Sequence, residues 1–408
     1  MQFTKKTIKD VPLEGQTVLV RADYNVPLND DGTIADDFRM QMSLPTLRFL
    51  QAAHCKIVVC SHLGRPEGKP NEKESLEPIA RHLSELLDTP VEFVPDCIGD
   101  RVRVAAKNLK PGGIALLENL RFHPEEEAND MAFAERLARD SGARYFIQDG
   151  FGVVHRAHAS TDAITHCLPS VAGLLLEREV STIVSSMHSP KRPLVAVLGG
   201  AKVKDKIKVI EKFVEIADQL IIGGAMANTF LKFRGLPVGK SKVGEGEEPL
   251  IEHIYNLARQ KVGDNKVDDF ILLPTDVAVA PEISASQRRT IVPVAAVAAG
   301  DYILDLGTES TEAILAHVQS AKSVIWNGTL GMAEYVVFAY SSAKLALELA
   351  ERKNEVFSLV GGGDTADFVI HWDSKKGKSF GHVSTGGGAS LELMAGDTLP
   401  GVAALMNK

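Results

Sequence analysis

Arginine, histidine and amide side chains collect behind short apolar runs in the first half of this chain, and glycine does so in the second. VLVRADYN (18–25), IVVCSHLGR (57–65), IALLENLRFH (114–123) and YFIQDGFGVVHR (145–156) close on residues that can hold an anion. LVAVLGG (194–200), QLIIGG (219–224), FSLVGGG (357–363) and HVSTGGG (382–388) close on glycine. An arginine fork pairs with small anions, and glycine lets a backbone approach a phosphate closely. The two sets require two chemistries: a compact acidic molecule on one side and nucleotide phosphates on the other.

GGGDTAD (361–367) and STGGGAS (384–390) each follow a strand-like run and open a helix-like one, where free N–H groups and the helix dipole favour anions. A lone glycine turn is as readily a tight connection; four in one half, with Asp364 and Thr365 beside a triplet, point to phosphate. Asp364 could cap the following helix, or hold Mg²⁺, which takes carboxylate and phosphate oxygens. Lys202 and Lys206 in GGAKVKDK (199–206) stand four apart, a spacing that puts both on one helical face. Lys204 and Lys208 allow a merely solvated lysine face, and the preceding glycine pair favours a phosphate site. In the first half, Arg21, Asp23, Asn25, Arg39, His62, Arg65, Arg121 and Arg156 fall near strand ends or in following loops. Each alone has a surface ion-pair explanation; together they match a ligand with several negative charges.

Other chemistries are excluded by missing pieces. No G-x-G-x-x-G follows a strand, and VGKS (238–241) lacks the first P-loop glycine because Arg234 stands there. HRAH (155–158) has no third metal ligand, and no G-x-S-x-G elbow is present. Cys55, Cys60, Cys97 and Cys167 form no C-x-x-C pair, which fits small buried side chains in a reducing compartment. A net charge of −8 argues against a nucleic-acid coat, so the local cations serve a focused anion site. No apolar run reaches membrane-spanning length, and the start MQFTKKTIKD has no apolar core of a signal segment, so a cytoplasmic location is expected.

The elements that must position these residues alternate between strand and helix. At 408 residues, two domains are expected. The βα alternation, which restarts in the second half, predicts α/β architecture with two doubly wound parallel sheets. Helices are expected over 75–88 and over 125–142, closing on Gly142. Residues 170–189, with Ser170 as N-cap and Leu174, Leu175, Val180, Ile183, Val184 and Met187 on one face, read as a helix between the domains or one more helix of a single large one. Residues 201–218 read as a helix, 269–277 as one strand, and 371–381 as a surface loop.

VLVRADYNVP, SHLGRP, ENLRFHPEE, DGFGVVHRAHAST, GGAKVKDKI, GGAMANTFL, GGGDT and HVSTGGGAS, in this order between residue 18 and about residue 395, closely resemble the phosphoglycerate kinase family. The resemblance implies reversible phosphoryl transfer between 1,3-bisphosphoglycerate and ADP, giving 3-phosphoglycerate and ATP, with Mg²⁺. It implies an N-terminal triose-binding domain (1–170, joined by the tail 395–408), an interdomain helix (171–189) and a C-terminal nucleotide-binding domain (190–394). The triose site it implies is Asp23, Asn25, Arg39, His62, Arg65, Arg121 and Arg156. The nucleotide site it implies is Gly200, Lys202, Lys206, Gly224, Asn327, Gly331, Glu334, Gly361, Gly362, Gly363, Asp364, Thr365, Gly386, Gly387 and Gly388, with Asp364 linked to the metal. Arg39, Lys206 and the backbone at Gly363 and Gly386 are the expected catalytic groups. A cytoplasmic monomer is implied, with hinge bending at the central helix and near Thr385, and with no nucleic-acid or membrane partner. Departures cluster at the adenosine end: Thr308 and Thr329 stand where the family usually has proline, and Ala333 where it has an aromatic residue. Gly150 replaces a common alanine.

Overall fold

The computed structural model describes residues 3–408, which divide into two compact units, 3–181 with Asp397–Lys408, and Thr182–Gly396. In the first, runs rich in Val, Ile and Leu form β1 (Thr17–Arg21), β2 (Lys56–Cys60), β3 (Val91–Val94), β4 (Ile114–Leu117), β5 (Tyr145–Gln148) and β6 (Ser170–Ala172). Their order is β3-β4-β2-β1-β5-β6, with every neighbouring pair parallel. Near-continuous apolar strands are what a parallel sheet covered on both faces requires. Two buried clusters lie against it, one containing Val18, Val20, Leu47 and Ile79, the other Leu19, Val58, Phe133 and Phe146. Val18 and Val20 alternate with Leu19 because successive strand residues point to opposite faces.

The second unit repeats the device. β7 (Leu194–Leu198), β8 (Gln219–Ile222) and β9 (Ile271–Leu272) come first, followed by β10 (Asp276–Ala280), β11 (Thr290–Pro293) and β12 (Tyr302–Leu306). β13 (Ser323–Asn327), β14 (Phe357–Gly361) and β15 (His382–Val383) complete it. The large sheet runs β15-β14-β13-β7-β8-β9, all parallel, while β11-β10-β12 is a separate antiparallel sheet. In both parallel sheets the connections turn opposite ways at one point: between β1 and β5, and between β7 and β13. The crevice outside the carboxyl ends at such a point is where ligands bind.

Several expected elements differ. Ser170 is not an N-cap: Ser170–Ala172 pairs with β5 as a strand, and the helix starts only at Leu174, running to His188. The Asp149 carboxylate accepts from Leu175 N at 3.0 Å and Thr46 Oγ1 from Leu174 N at 2.9 Å, which closes that helix's first turn. The 125–142 helix is two, Pro124–Glu127 and Met131–Ser141, separated by Asn129 at φ 54° and restarted by the Asp130 cap on Phe133 N at 2.7 Å. Residues 269–277 hold the end of a helix, β9 and the start of β10, with Pro274 dividing strands of different sheets. The 371–381 segment is not plain surface loop, since Asp373 and Phe380 are buried and Asp373 accepts from Lys375 N and Ser379 N.

Asp276, first residue of β10, caps a helix remote in sequence, Thr308–Ser320. Its carboxylate accepts from Glu309 N at 3.1 Å and Ser310 N at 2.8 Å, and Ser310 Oγ donates to Asp276 O at 2.9 Å. Asp276→Ala should therefore cost about 1–2 kcal/mol. A thermal melt of the variant is expected to show an earlier transition; an unchanged melt would remove Asp276 from this role.

Candidate functional site

The first crevice is built from the ends of four adjacent strands. Arg21 ends β1, His62 follows β2, Arg121 follows β4, and Arg156 follows β5. Asp23 is buried; its Oδ2 accepts from Arg39 Nη1 at 3.0 Å and its Oδ1 from Asn25 N at 3.2 Å. Arg39 also reaches Asn25 O at 3.2 Å, although it sits in the first turn of the helix Phe38–Ala52, where the dipole disfavours a cation. The loop carrying His62 to Arg65 is fixed from three sides. Gly64 N donates to Asn25 Oδ1 at 2.9 Å, Gly64 O accepts from Arg121 Nη1 at 2.8 Å, and Leu63 O accepts from Asn119 Nδ2 at 2.7 Å. Arg65 and Arg156 are exposed, and Arg156 Nε donates to His155 Nε2 at 3.2 Å.

The cationic charge here resides on arginine. Burial, then Arg21, Arg121 and Arg39, hold His62 well below its ordinary value. Burial, then the arginines Arg21, Arg121 and Arg156, push His158 down to about 4, and burial and Arg156 lower His155. These histidines are neutral hydrogen-bonding groups near neutral pH. Asp23, the buried Glu126 and the half-exposed Glu127, 3.2 Å from Arg121 Nε, offset only part of the arginine charge. The remainder suits an incoming polyanion.

In the second unit the crevice between β7 and β13 holds Lys206. Its ammonium donates to Asn327 Oδ1 at 2.7 Å, Gly199 O at 2.9 Å and Asn327 O at 3.2 Å. Burial lowers its pKa to about 8, against the opposing pull of Asp364 and Asp205. Asn327 is fully buried with its Nδ2 unpartnered, and a Cβ on Gly362 would come within 3.2 Å of that nitrogen. Gly362, at φ +87°, leads directly into the helix Gly363–Trp372, whose first turn carries Asp364 and Thr365. Thr365 Oγ1 accepts from Gly328 N at 2.6 Å and ties that turn to the end of β13. First-turn N–H groups have no partner within a helix, so this end and the Gly387–Gly388 start of the helix Gly388–Ala395 offer donors to an anion. The Gly386 amide, by contrast, already donates to Ser384 Oγ at 3.1 Å.

A cavity of about 270 Å³ joins expected phosphate and nucleoside residues, being lined by Gly200, Gly224, Gly331, Glu334 and Asp364 together with Ile283, Tyr302 and Met332. Gly224, at φ +60°, has no room for a side chain: a Cβ would stand 2.8 Å from Gly200 N and from Thr329 O. Among the described residues no group of three or more His, Cys, Asp or Glu could hold a metal. A lone carboxylate at a phosphate-accepting helix start fits Mg²⁺ carried chiefly by nucleotide oxygens.

One expectation does not survive as made. Lys202 and Lys206 do not share a helical face: Lys202 is exposed in a loop, Lys204–Lys206 is a single 3₁₀ turn, and the α-helix begins at Ile207. Glu247 takes the Val203 and Lys204 N–H groups, which holds that segment out of the α-helix. Sequence reading also missed Asp305, which lines the cavity with its carboxyl pushed up to about 6 by burial and accepts from Leu306 N at 2.9 Å and Ser341 N at 3.2 Å. The signal was an acid inside the apolar run YILDL. Glu126 and Ser160, both fully buried beside the arginine crevice, were missed as well, since neither looks unusual within its segment.

An arginine-lined crevice and a glycine-lined phosphate crevice, each at the switch point of its own parallel sheet, define a nucleotide-dependent phosphotransferase of two α/β units. The chain matches the phosphoglycerate kinase family over residues 8–397. It is 45% identical over 408 residues to the phosphoglycerate kinase of Moorella thermoacetica, covering 100% of both chains, and 46% identical over 410 residues to that of Rippkaea orientalis, covering 99% of each. Its structure resembles the phosphoglycerate kinase of Coxiella burnetii with a TM-score of 0.83 at 33% identity, and that of Pyrococcus horikoshii with 0.82 at 30%, each over 98% of both chains. This chain belongs to the phosphoglycerate kinase family, the kinases that transfer a phosphoryl group between 1,3-bisphosphoglycerate and ADP in glycolysis.

The depressed Lys206 value has a definite sign. The unfolded chain keeps the ordinary lysine value of 10.5, so between about 8 and 10.5 it binds more protons than the folded chain, and this group makes stability rise with pH across that window. An anion set against the amine reverses the shift. ADP binding just above pH 8 should therefore take up protons, seen as a dependence of the calorimetric heat on buffer ionisation enthalpy. Lys206→Met should abolish the uptake; uptake that persists in this variant would assign the proton elsewhere.

Proposed function

We propose that the two crevices are the acceptor and donor halves of the family reaction, with 3-phosphoglycerate held by the arginine crevice and the adenine nucleotide by the glycine crevice. The observation that carries this reading is Lys206, desolvated at the β7–β13 crevice beside the orphaned Asn327 amide, which leaves both a charge and a donor to be met by phosphate. Asp23, Asn25, Arg39, His62, Arg65, Arg121 and Arg156 bind the triose. Gly200, Gly224, Gly331 and Glu334 contact adenosine, while Lys206, Asn327, Thr365 and the glycine-led helix starts contact phosphates. Lys202 stands exposed at the edge of this set. Asp364 would hold Mg²⁺ on the nucleotide, and the ion would offset phosphate charge.

The attacking group in the ATP-consuming direction is a carboxylate, already ionised near neutral pH. No general base is needed, and catalysis rests on in-line positioning and stabilisation of the equatorial oxygens. Arg39 supplies that stabilisation from the acceptor side. Lys206 and the N–H groups at Gly363, Gly387 and Gly388 supply it from the donor side, the Gly386 amide contributing on release from Ser384. Transfer requires donor and acceptor to face one another with water excluded, so the enzyme closes about the helix Leu174–His188 and the chain near Thr385. We assign it to the cytoplasm as a monomer without a membrane or nucleic-acid partner; among the described residues no helix is long and apolar enough to cross a membrane.

ATP plus 3-phosphoglycerate should drive NADH oxidation through added glyceraldehyde-phosphate dehydrogenase, and chelation of Mg²⁺ should stop it. Lys206→Ala and Arg39→Ala are each expected to lower kcat by roughly 10²–10³. Near-normal turnover in either variant would overturn its role.

A further inference from the structure

The arginine crevice contains a buried polar chain that no step above uses. Glu126 is fully buried in the short helix Pro124–Glu127, and Ser160 is fully buried in the loop after β5. The Glu126 carboxylate accepts from Ser160 Oγ at 2.6 Å and from Ser160 N at 3.0 Å. Ser160 Oγ accepts from Arg21 Nε at 2.8 Å, and Arg21 Nη2 meets His62 Nδ1 at 3.2 Å. Arg21 Nη1 is tied to Ala22 O, so the guanidinium is held on three sides.

The direction of every bond in this chain follows from one fact: arginine only donates. Ser160 Oγ must accept from Arg21, so its own hydrogen goes to Glu126. His62 Nδ1 must likewise accept, so the ring proton lies on Nε2. Asp23 Oδ1, 4.0 Å from the same Nδ1, would reward the other tautomer, with the proton on Nδ1. Arg21 at 3.2 Å decides against it only while its guanidinium is held in place.

We propose that Glu126 and Ser160 are positioning residues for substrate recognition: through Arg21 they fix His62 as the Nε2–H tautomer and present that proton to the acidic ligand. This rests on the reading that the arginine crevice binds 3-phosphoglycerate. When the chain is cut, Arg21 is released from its Ser160 anchor, Nδ1 is free to take the proton facing Asp23, and Nε2 turns from donor to acceptor. A carboxylate or phosphate oxygen then meets a lone pair where it had met a proton. The nucleotide crevice, in the other unit, is not part of the chain.

The test compares the whole enzyme with its Ser160→Ala, Ser160→Thr and Glu126→Gln variants. Ser160→Ala should raise KM for 3-phosphoglycerate roughly tenfold, the order expected for losing one charge-assisted hydrogen bond, and leave KM for ATP unchanged. Ser160→Thr keeps the hydroxyl and should restore the wild-type value. Glu126→Gln offers one acceptor where two donors arrive and should move the same KM in the same direction. Two-bond ¹H–¹⁵N spectra should show His62 as a single Nε2–H tautomer in the wild type and as a mixture in Ser160→Ala. A wild-type His62 protonated on Nδ1, or on both nitrogens near neutral pH, overturns the proposal even if every variant misfolds. So does a Ser160→Ala enzyme with unchanged triose KM, or one in which both KM values rise together. A wild type that turns over no 3-phosphoglycerate would instead sink the reading of the site, and the tautomer could still be read without ligand.

Discussion

Cationic charge buried at the carboxyl end of a parallel sheet, with too few carboxylates to meet it, is the constraint on which this molecule is built. Lys206 gives its three donors to neutral oxygens of Gly199 and Asn327, and burial drags its pKa down to about 8. Neutral oxygens return less than the lost hydration of an ammonium. The first unit has a related imbalance, with Arg21 and Arg121 buried, Arg65 and Arg156 exposed, and Asp23, Glu126 and Glu127 as the partly compensating acids. An anion from outside would complement the charge that each crevice leaves unmet. The sheet's polarity makes this economical, because all parallel strands deliver their ends to one side and the switch point opens a gap there.

The two units solve the problem with opposite materials. Around β7, β8 and β13 the backbone segments come so close that a Cβ on Gly224 would stand 2.8 Å from two of them. Side chains cannot enter, so the donors there are backbone amides, helix starts and one lysine reaching in from Lys204–Lys206. Such donors suit a chain of phosphates, which offers oxygens along its length. Beyond β1, β2, β4 and β5 the donors are instead long side chains, Arg21, Arg39 and Arg121 among them. Those side chains need anchoring against their own flexibility: Gly64 O accepts from Arg121 and Ser160 Oγ from Arg21, while Asn25 and Asn119 fix the loop at Leu63 and Gly64. A small acid with charge at both ends is matched by forks aimed from several directions.

Much of this was legible in sequence because the strands are short apolar runs and the chemistry sits at their ends. Thr17–Arg21, Lys56–Cys60, Leu194–Leu198 and Phe357–Gly361 announce themselves by composition, and expected site residues fall at or after their carboxyl ends, where the crevices open. What escaped was set by partners distant in sequence. Ser170–Ala172 is a strand because β5 lies open beside it, and nothing within residues 170–189 records that. Lys202 leaves the helix because Glu247, dozens of residues away, takes the neighbouring amides. The antiparallel sheet β11-β10-β12 interrupts the βα rhythm with a pattern no single window shows. Glu126, Ser160 and Asp305 are ordinary polar letters until burial makes them matter.

The departures at the adenosine end look different once the local structure is known. Thr308 occupies the first position of its helix, where proline is favoured because its fixed φ suits a helix start. Here the start is held from outside, by the Asp276 carboxylate on Glu309 N and Ser310 N and by Ser310 Oγ on Asp276 O. Three hydrogen bonds from β10 do the stiffening that a pyrrolidine ring would do. Asp305 acts likewise one strand away, joining Leu306 N to Ser341 N at the next helix start. Directly after Thr329, Leu330 O accepts from Gly224 N at 3.0 Å and Leu330 N donates to Ser342 Oγ at 2.9 Å, so the backbone there is already held. Ala333 does not line the cavity; Ile283, Tyr302 and Met332 are part of its apolar surface. The small antiparallel sheet and the glycine turns at Gly200, Gly224 and Gly331 line one cavity together.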